Sequence, residues 1–179
     1  IRSGDDCMFR NNGDGTFTNV TQESNTNDPG YGMGVDFGDY DNDGDLDLFI
    51  TNFWYDTLLR NKGDGTFEDV SADVGINESM NGWGAAFRDY DNDGNLDIMN
   101  VNGWLTNSWG QVECESNCVW HNEGPGAPIR FLETTEEAGV AVHGDARGAA
   151  WGDVNQDGWV DMIVLNNTDW DHSGGSCNF

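Results

Sequence analysis

One nine-residue phrase occurs three times in the 179-residue chain: DYDNDGDLD from Asp39 to Asp47, DYDNDGNLD from Asp89 to Asp97, and DVNQDGWVD from Asp153 to Asp161. The copies start 50 and 64 residues apart. A second phrase precedes each one: FRNNGDGTF from Phe9, LRNKGDGTF from Leu59, and a degenerate WHNEGPGAPIRF from Trp120. The distance from its last Phe (Phe17, Phe67, Phe131) to the next acidic phrase is 22 residues every time. A chain built this way stacks like units, each burying an apolar face against its neighbour. The longer last spacing divides into 3 extra residues in the GPGAPIRF turn and 11 between Asp97 and Trp120. That insertion carries Cys114 and Cys118.

Within each unit the apolar residues alternate or form short runs, as in GVDFGDYD, LDLFITN, TLLRN and TFEDVS, bounded by Gly, Asn and Asp. These are strands. The Gly-Asp-Gly of the second phrase supplies the positive φ angles of a tight hairpin. No segment carries a helical stripe, and EDVSADVGI and ETTEEAGVA have room for one turn of helix each. Four strands in about 50 residues predict an all-β fold of propeller-like blades. The repeat phase divides the chain into a half blade over about 5–32, a blade over about 33–82, a blade with the cysteine insertion over about 83–143, and a half blade over about 144–179.

The acidic phrase places side-chain oxygens at positions 1, 3, 5 and 9, with Gly at position 6 letting the chain fold around one point. Carboxylates so close repel one another, and a hard cation relieves the repulsion; Ca²⁺ accepts six to eight oxygens at about 2.3–2.6 Å with tolerant geometry. The first site is Asp39, Asp41, Asp43 and Asp47, with the Asp45 carbonyl. The second is Asp89, Asp91, Asp93 and Asp97, with the Asn95 carbonyl. The third is Asp153, Asn155, Asp157 and Asp161, with the Trp159 carbonyl; it has one charge fewer and is expected to bind more weakly. About three calcium ions per chain are expected on this reading. An EF-hand or dockerin-like loop shares the Gly but requires an acid at position 12, where this chain has Ile50, Asn100 and Val164, and helices in place of strand-like LDLFITN and VDMIVLN. Mg²⁺ fits less well because it resists dehydration.

The phrases FRNNGDGTFTNVT and GMGVDFGDYDNDGDLDLFITN resemble the FG-GAP/VCBS repeats of integrin-type propellers and of many bacterial secreted proteins, over nearly the whole chain. The resemblance implies calcium-loaded propeller blades with ligands at the positions named, and roles in adhesion, surface display, lectin-like binding or support of an enzyme. Such propellers usually have about seven blades, and three loops are too few to close that ring.

Charge narrows the partners. With 33 acidic against 7 basic residues and a net charge of −26, the chain repels phosphate backbones and anionic lipid. Neither nucleic acid nor membrane is an expected partner, and no apolar run approaches the ~20 residues of a membrane helix. Aromatic residues make up 12% of the chain, which separates it from disordered acidic sequences. The chain opens at Ile1 without Met, as a processed or excised product would, and a removed signal peptide would fit. Four cysteines point to disulfides in an oxidising, extracellular setting, and the sequons at Asn19, Asn77 and Asn166 permit glycosylation there. His121, His143 and His172 sit in unrelated phases without a nucleophile signature, so each is read as a surface residue and no catalysis is expected. Cys114-x3-Cys118-x2-His121 lacks a fourth ligand for zinc. Trp83, Trp120 and Trp151 belong to packing, whereas Trp54, Trp104, Trp109 and Trp170 follow the second strand, where exposed rings could stack on sugars.

The chain opens with the second half of a blade and closes with the first half of another. Joined, they would complete a blade and cover open sheet edges. Aligning Trp120 with Phe9 puts Cys118 in register with Cys7, while Cys114 lies 17 residues after Asp97 and Cys177 lies 16 after Asp161. The expected pairs are Cys114–Cys118 and Cys7–Cys177. Closing three blades within one chain would be strained, so a half blade given head to tail to another copy is favoured, which produces a fibre or oligomer. A calcium-dependent carbohydrate-binding module, or a piece of a larger propeller, is the alternative.

Overall fold

The computed structural model describes residues 6–76, 79–106, 112–114, 116–126, 129–142 and 144–166. Strands β1 (Phe9–Asn11) and β2 (Phe17–Asn19) form a hairpin across Gly13-Asp14-Gly15, and a single helical turn α1 (Thr21–Ser24) follows. Next come β3 (Gly32–Gly38), β4 (Asp47–Tyr55), β5 (Thr57–Asn61) and β6 (Phe67–Asp69), paired antiparallel in chain order, then the helical turn α2 (Ser71–Val74). The pattern returns in β7 (Ser79–Arg88), β8 (Asp97–Asn102), β11 (Cys118–Asn122) and β12 (Phe131–Glu133). Between β8 and β11 the insertion forms its own hairpin, β9 (Trp104–Thr106) with β10 (Val112–Cys114). Strands β13 (Ala146–Gly152) and β14 (Asp161–Asn166) pair with each other.

The described chain is thus all-β, with two four-stranded propeller-like blades and an incomplete blade at each end. Of the two segments with room for a helical turn, EDVSADVGI forms α2, whereas ETTEEAGVA makes only turns, closed by the Ala138 N–H to the Thr134 carbonyl at 2.8 Å. The far end of β4 crosses over to pair with β7, Phe53 opposite Asn81, so the two blades share one continuous hydrogen-bonded sheet.

Alternation along the second strand sorts its side chains into the layers between blades. Leu48 and Ile50 face back, with Leu59, Phe67 and Met8, toward the opening hairpin. Phe49 faces forward into the layer shared with Phe87, Ile98, Trp120 and Phe131 of the following blade. Its ring meets Phe87 edge-on at 6.2 Å. Met99, Val101 and Val119 face forward again, against Ala149, Trp151, Met162 and Val164. Each unit therefore buries one face on the unit before it and one on the unit after, as stacked repeats require.

The first strands of successive units approach closely, and glycine permits it. A Cβ on Gly34 would lie 2.9 Å from the Gly84 Cα, and one on Gly84 would lie 2.7 Å from Val101 Cγ2 and 3.4 Å from the Gly148 Cα. A bulge recurs at this point in three successive units, at Gly32/Gly34, Gly82/Gly84 and Ala146/Gly148. The bulge bends each first strand where the strands crowd.

Among the described residues the layers stop at the two ends without a neighbour. Met33, Val35 and Phe37 of β3 are exposed, Val35 at 60%, although Phe87, the counterpart of Phe37, is buried at 1%. On the other side Ile163 and Leu165 are 59% and 60% exposed, although Phe49, the counterpart of Ile163, is fully buried. Replacing Phe49 by Ala should cost about 3–5 kcal/mol in chemical unfolding, and Ile163 by Ala less than about 0.5 kcal/mol in the isolated chain. Equal effects would overturn this layer assignment.

Candidate metal centres

The three acidic phrases share one backbone path. Position 4 is left-handed in each, Asn42 at φ 58°, Asn92 at 59° and Gln156 at 64°, and the glycine after position 5 follows at 95°, 91° and 92°. Asn tolerates this region at small cost, and Gly at none. The hydrogen bonds repeat as well. The position 5 N–H donates to the position 1 carboxylate at 3.1 Å in all three loops. The same N–H reaches the position 3 oxygen at 3.3, 3.2 and 3.0 Å. The position 6 N–H reaches the other oxygen of position 1 at 3.0, 3.0 and 2.8 Å. The position 7 N–H donates to position 5 at 2.9, 2.8 and 2.9 Å.

These bonds turn the carboxylates toward one another. One oxygen each from Asp39, Asp41 and Asp43 lies within 4.8 Å of the others, and the same holds for Asp89, Asp91 and Asp93. Oxygens on opposite sides of a calcium ion are about 5 Å apart, so the spacing fits one such ion. Burial, then the charge of Asp43, pushes the Asp41 carboxyl above its ordinary range. The Asn95 N–H holds Asp93 below that range, and the Gly158 N–H does the same for Asp153. The chain provides oxygens, negative charge and a backbone that already folds around a point, the donor set a hard divalent cation takes. In the third loop Asp153, Asn155 and Asp157 keep the same bonds while lying exposed.

Position 9 plays a second part. Asp47, fully buried, takes the Tyr40 N–H of its own loop at 3.1 Å on one oxygen and the Asn61 N–H of β5 at 2.8 Å on the other. Asp97 repeats this with Tyr90 at 3.1 Å and Asn122 at 2.8 Å. Burial is the main cause that lifts Asp47 to about 7 and Asp97 to about 6. Asp161 takes the Val154 N–H at 3.0 Å, its one side-chain hydrogen bond among the described residues, where no third strand covers it.

Sequence reasoning missed a residue that braces each of the first two loops from behind. The Asn that closes the Leu-Arg-Asn or Trp-His-Asn triplet donates through its side chain to the position 8 carbonyl, Asn61 to Leu46 and Asn122 to Leu96, both at 3.1 Å. Its recurrence as Asn11, Asn61 and Asn122 was the available signal. Position 4 carries a second unpredicted function. The Asn42 side chain donates to the Gly94 carbonyl at 3.4 Å and to Asn95 Oδ1 at 3.2 Å, and Asn92 donates to the Gly158 carbonyl at 3.0 Å. The three loops are thereby linked edge to edge.

His121, read as a surface residue, instead turns its Nδ1 toward Asp97 at 3.1 Å and Asp91 at 3.5 Å. His143 and His172 lie outside the described residues. Cys7 is exposed and Cys118 buried; the Cys114 side chain and the whole of Cys177 lie outside the described residues. Asn19 is exposed at the end of β2, Asn166 is half-buried in β14, and Asn77 lies outside. Trp120 and Trp151 pack between blades, and Trp83 carries the Arg147 guanidinium 3.7 Å above its ring. Trp54 is half exposed at a strained φ of 97° and meets Tyr31 edge-on at 6.0 Å; Trp109, Trp170 and the Trp104 side chain lie outside the described residues.

Comparison with protein families gives a match to the FG-GAP-like repeat over residues 1–50 and 39–99, which spans the first two acidic loops. No curated protein matches the chain.

The buried position 9 carboxyls make the metal-free protein pH-sensitive. Their folded pKa values, about 7 and about 6, lie above the ordinary value, so the folded state holds the proton more tightly than the unfolded chain. Their contribution is complete below about pH 4 and is lost as pH rises through 6 to 7; the depressed Asp93 and Asp153 contribute fully above about pH 4 and lose that contribution only below it, so they do not distinguish pH 5 from pH 8. Metal-free protein, prepared by chelation and gel filtration, should therefore melt at a lower temperature at pH 8 than at pH 5. A higher melting temperature at pH 8 without metal would contradict it.

Proposed function

The chain belongs to the FG-GAP-like repeat family, a structural and adhesive repeat, and from that premise we propose that it is an extracellular, calcium-loaded structural module without catalytic activity. Calcium occupies the three loops at the residues named above, about three ions per chain. Each ion offsets the mutual repulsion of its carboxylates and the burial of position 9, so metal binding is part of folding. FG-GAP repeats typically occur in extracellular proteins, and no described helix is long and apolar enough to cross a membrane. Disulfides Cys114–Cys118 and Cys7–Cys177, and glycans on Asn19, Asn77 and Asn166, belong to the same reading.

The observation that carries the assembly part of the proposal is the pair of unfinished layers. An apolar groove of about 320 Å³, lined by Met8, Met33, Val35, Phe37 and Ile50, opens where the first hairpin has no inner strands among the described residues. Strands β13 and β14 are inner strands without outer ones among the described residues. Placing β14 of one copy beside β1 of the next, in the β4–β5 register of Leu48 opposite Leu59, sets Met162 opposite Phe9. It also brings the Asn11 N–H to Asp161, as Asn61 serves Asp47. Repetition of the contact produces a head-to-tail fibre or a ring. The same faces would be filled by further blades if the chain is a piece of a larger propeller.

A carbohydrate-binding role is the second reading, favoured by the exposed rings of Tyr31, Trp54 and Tyr55 at the strand ends far from the loops. It predicts glycan binding that Trp54→Ala abolishes.

Two measurements test the leading reading. Calcium removal should lower the melting temperature by more than about 10 °C at pH 7.5, on the order of the few kcal/mol that saturating ligand adds; an unchanged curve with metal loss verified would refute calcium as a structural element. Non-reducing electrophoresis and light scattering should show a ladder that reduction collapses to one band, and Ile163→Asp should leave monomer. A monodisperse wild-type monomer would exclude self-assembly.

A further inference from the structure

His121 occupies a position that the other repeats fill with arginine. The triplet reads Phe-Arg-Asn in β1 and Leu-Arg-Asn in β5, but Trp-His-Asn in β11. Arg60 pairs across the β5–β6 ladder with Glu68, directly opposite it, and Arg10 reaches Glu23 at 3.1 Å. The residue opposite His121 is Leu132, which offers no acid. The imidazole turns back onto the second loop, where its Nδ1, an Asp91 oxygen and an Asp97 oxygen all lie within 4.8 Å of one another. The edge-on Tyr90 ring, 6.1 Å away, packs against the imidazole, and the Tyr90 N–H holds the other Asp97 oxygen at 3.1 Å. Two of the three donors are therefore positioned before any ion arrives.

This donor set differs in kind from the clusters of the other two loops. All-oxygen sites select hard cations, whereas an imidazole nitrogen beside two carboxylates suits the borderline ions Zn²⁺, Co²⁺ and Ni²⁺, which bind nitrogen more strongly than Ca²⁺ does. Ligation through Nδ1 requires the neutral ring with its proton on Nε2. We propose that the second loop accepts a divalent transition-metal ion through His121 Nδ1, Asp91 Oδ2 and Asp97 Oδ1, in exchange for calcium. The first loop has Arg60 at this position and cannot supply the nitrogen. The third has no strand there among the described residues.

Co²⁺ titration of the full, calcium-loaded chain tests the assignment, read by the visible absorption of the bound ion and by the calcium released. His121→Arg restores the residue of the other repeats, and His121→Gln keeps a comparable size without the imidazole. The wild type should bind one Co²⁺ with release of one calcium, and both variants should bind it more than about 10-fold more weakly while holding calcium as before, since loss of even an outer-sphere partner of a ligand costs 10–100-fold. Equal Co²⁺ affinity in all three proteins, or no Co²⁺ spectrum in any, would overturn the proposal. Calcium counted in the same samples separates the two claims: Co²⁺ held by a wild type that binds no calcium would sink the calcium reading and leave this one standing.

Discussion

The first two acidic loops are each tied to their blade by one buried carboxylate. Asp47 joins the start of β4, the second residue of its own loop and the end of β5, and Asp97 does the same for β8, its loop and β11. Remove the side chain and the loop loses its anchor; leave its charge uncompensated and a carboxylate sits out of water against its preference. The rest of the blade can be read as the consequence. The loop must return close to the sheet, which requires the left-handed positions at Asn42 and Gly44. The third strand must arrive with an N–H pointing inward, which sets the register of Leu48 on Leu59.

Packing between units follows from strand alternation once the loops fix the strands. Neighbouring residues of β4 point in opposite directions, so Leu48 and Phe49 serve two different apolar layers. No blade has a core of its own. Stability consequently accumulates per interface, and among the described residues each terminal face lacks one. The exposed Phe37 and Ile163 are chemically ordinary core residues whose layer has no other half in the described chain.

Much of this was legible in the sequence, and the failures have physical causes. The three-fold acidic phrase and the Gly-Asp-Gly turn are local, and local chemistry reads directly from residue order. Strand alternation in LDLFITN identified the layered sheet, although not which face looked forward. The helical turn α1 was missed because Thr-Gln-Glu-Ser has no apolar stripe; tertiary contacts bury Thr21 and Ser24 instead. Asn61 and Asn122 looked like strand ends because a brace from a side chain to a distant carbonyl leaves no periodic trace. His121 was compared with the other histidines rather than with Arg10 and Arg60, the residues in its own repeat phase.

The asparagine bridges between loops give the row of sites a direction. Asn42 reaches forward to Gly94 and Asn95, and Asn92 reaches forward to Gly158, so each loop grips the backbone of the next. An ion that orders one loop thereby orders an acceptor edge for the preceding one and a donor for the following one. Were ions to fill the loops, site occupancy would behave as a nearest-neighbour lattice, with a coupling at each junction and none across a gap. In such an array the steepness of saturation would be a property of how many repeats stand in line, and a module shallow alone would become switch-like when concatenated.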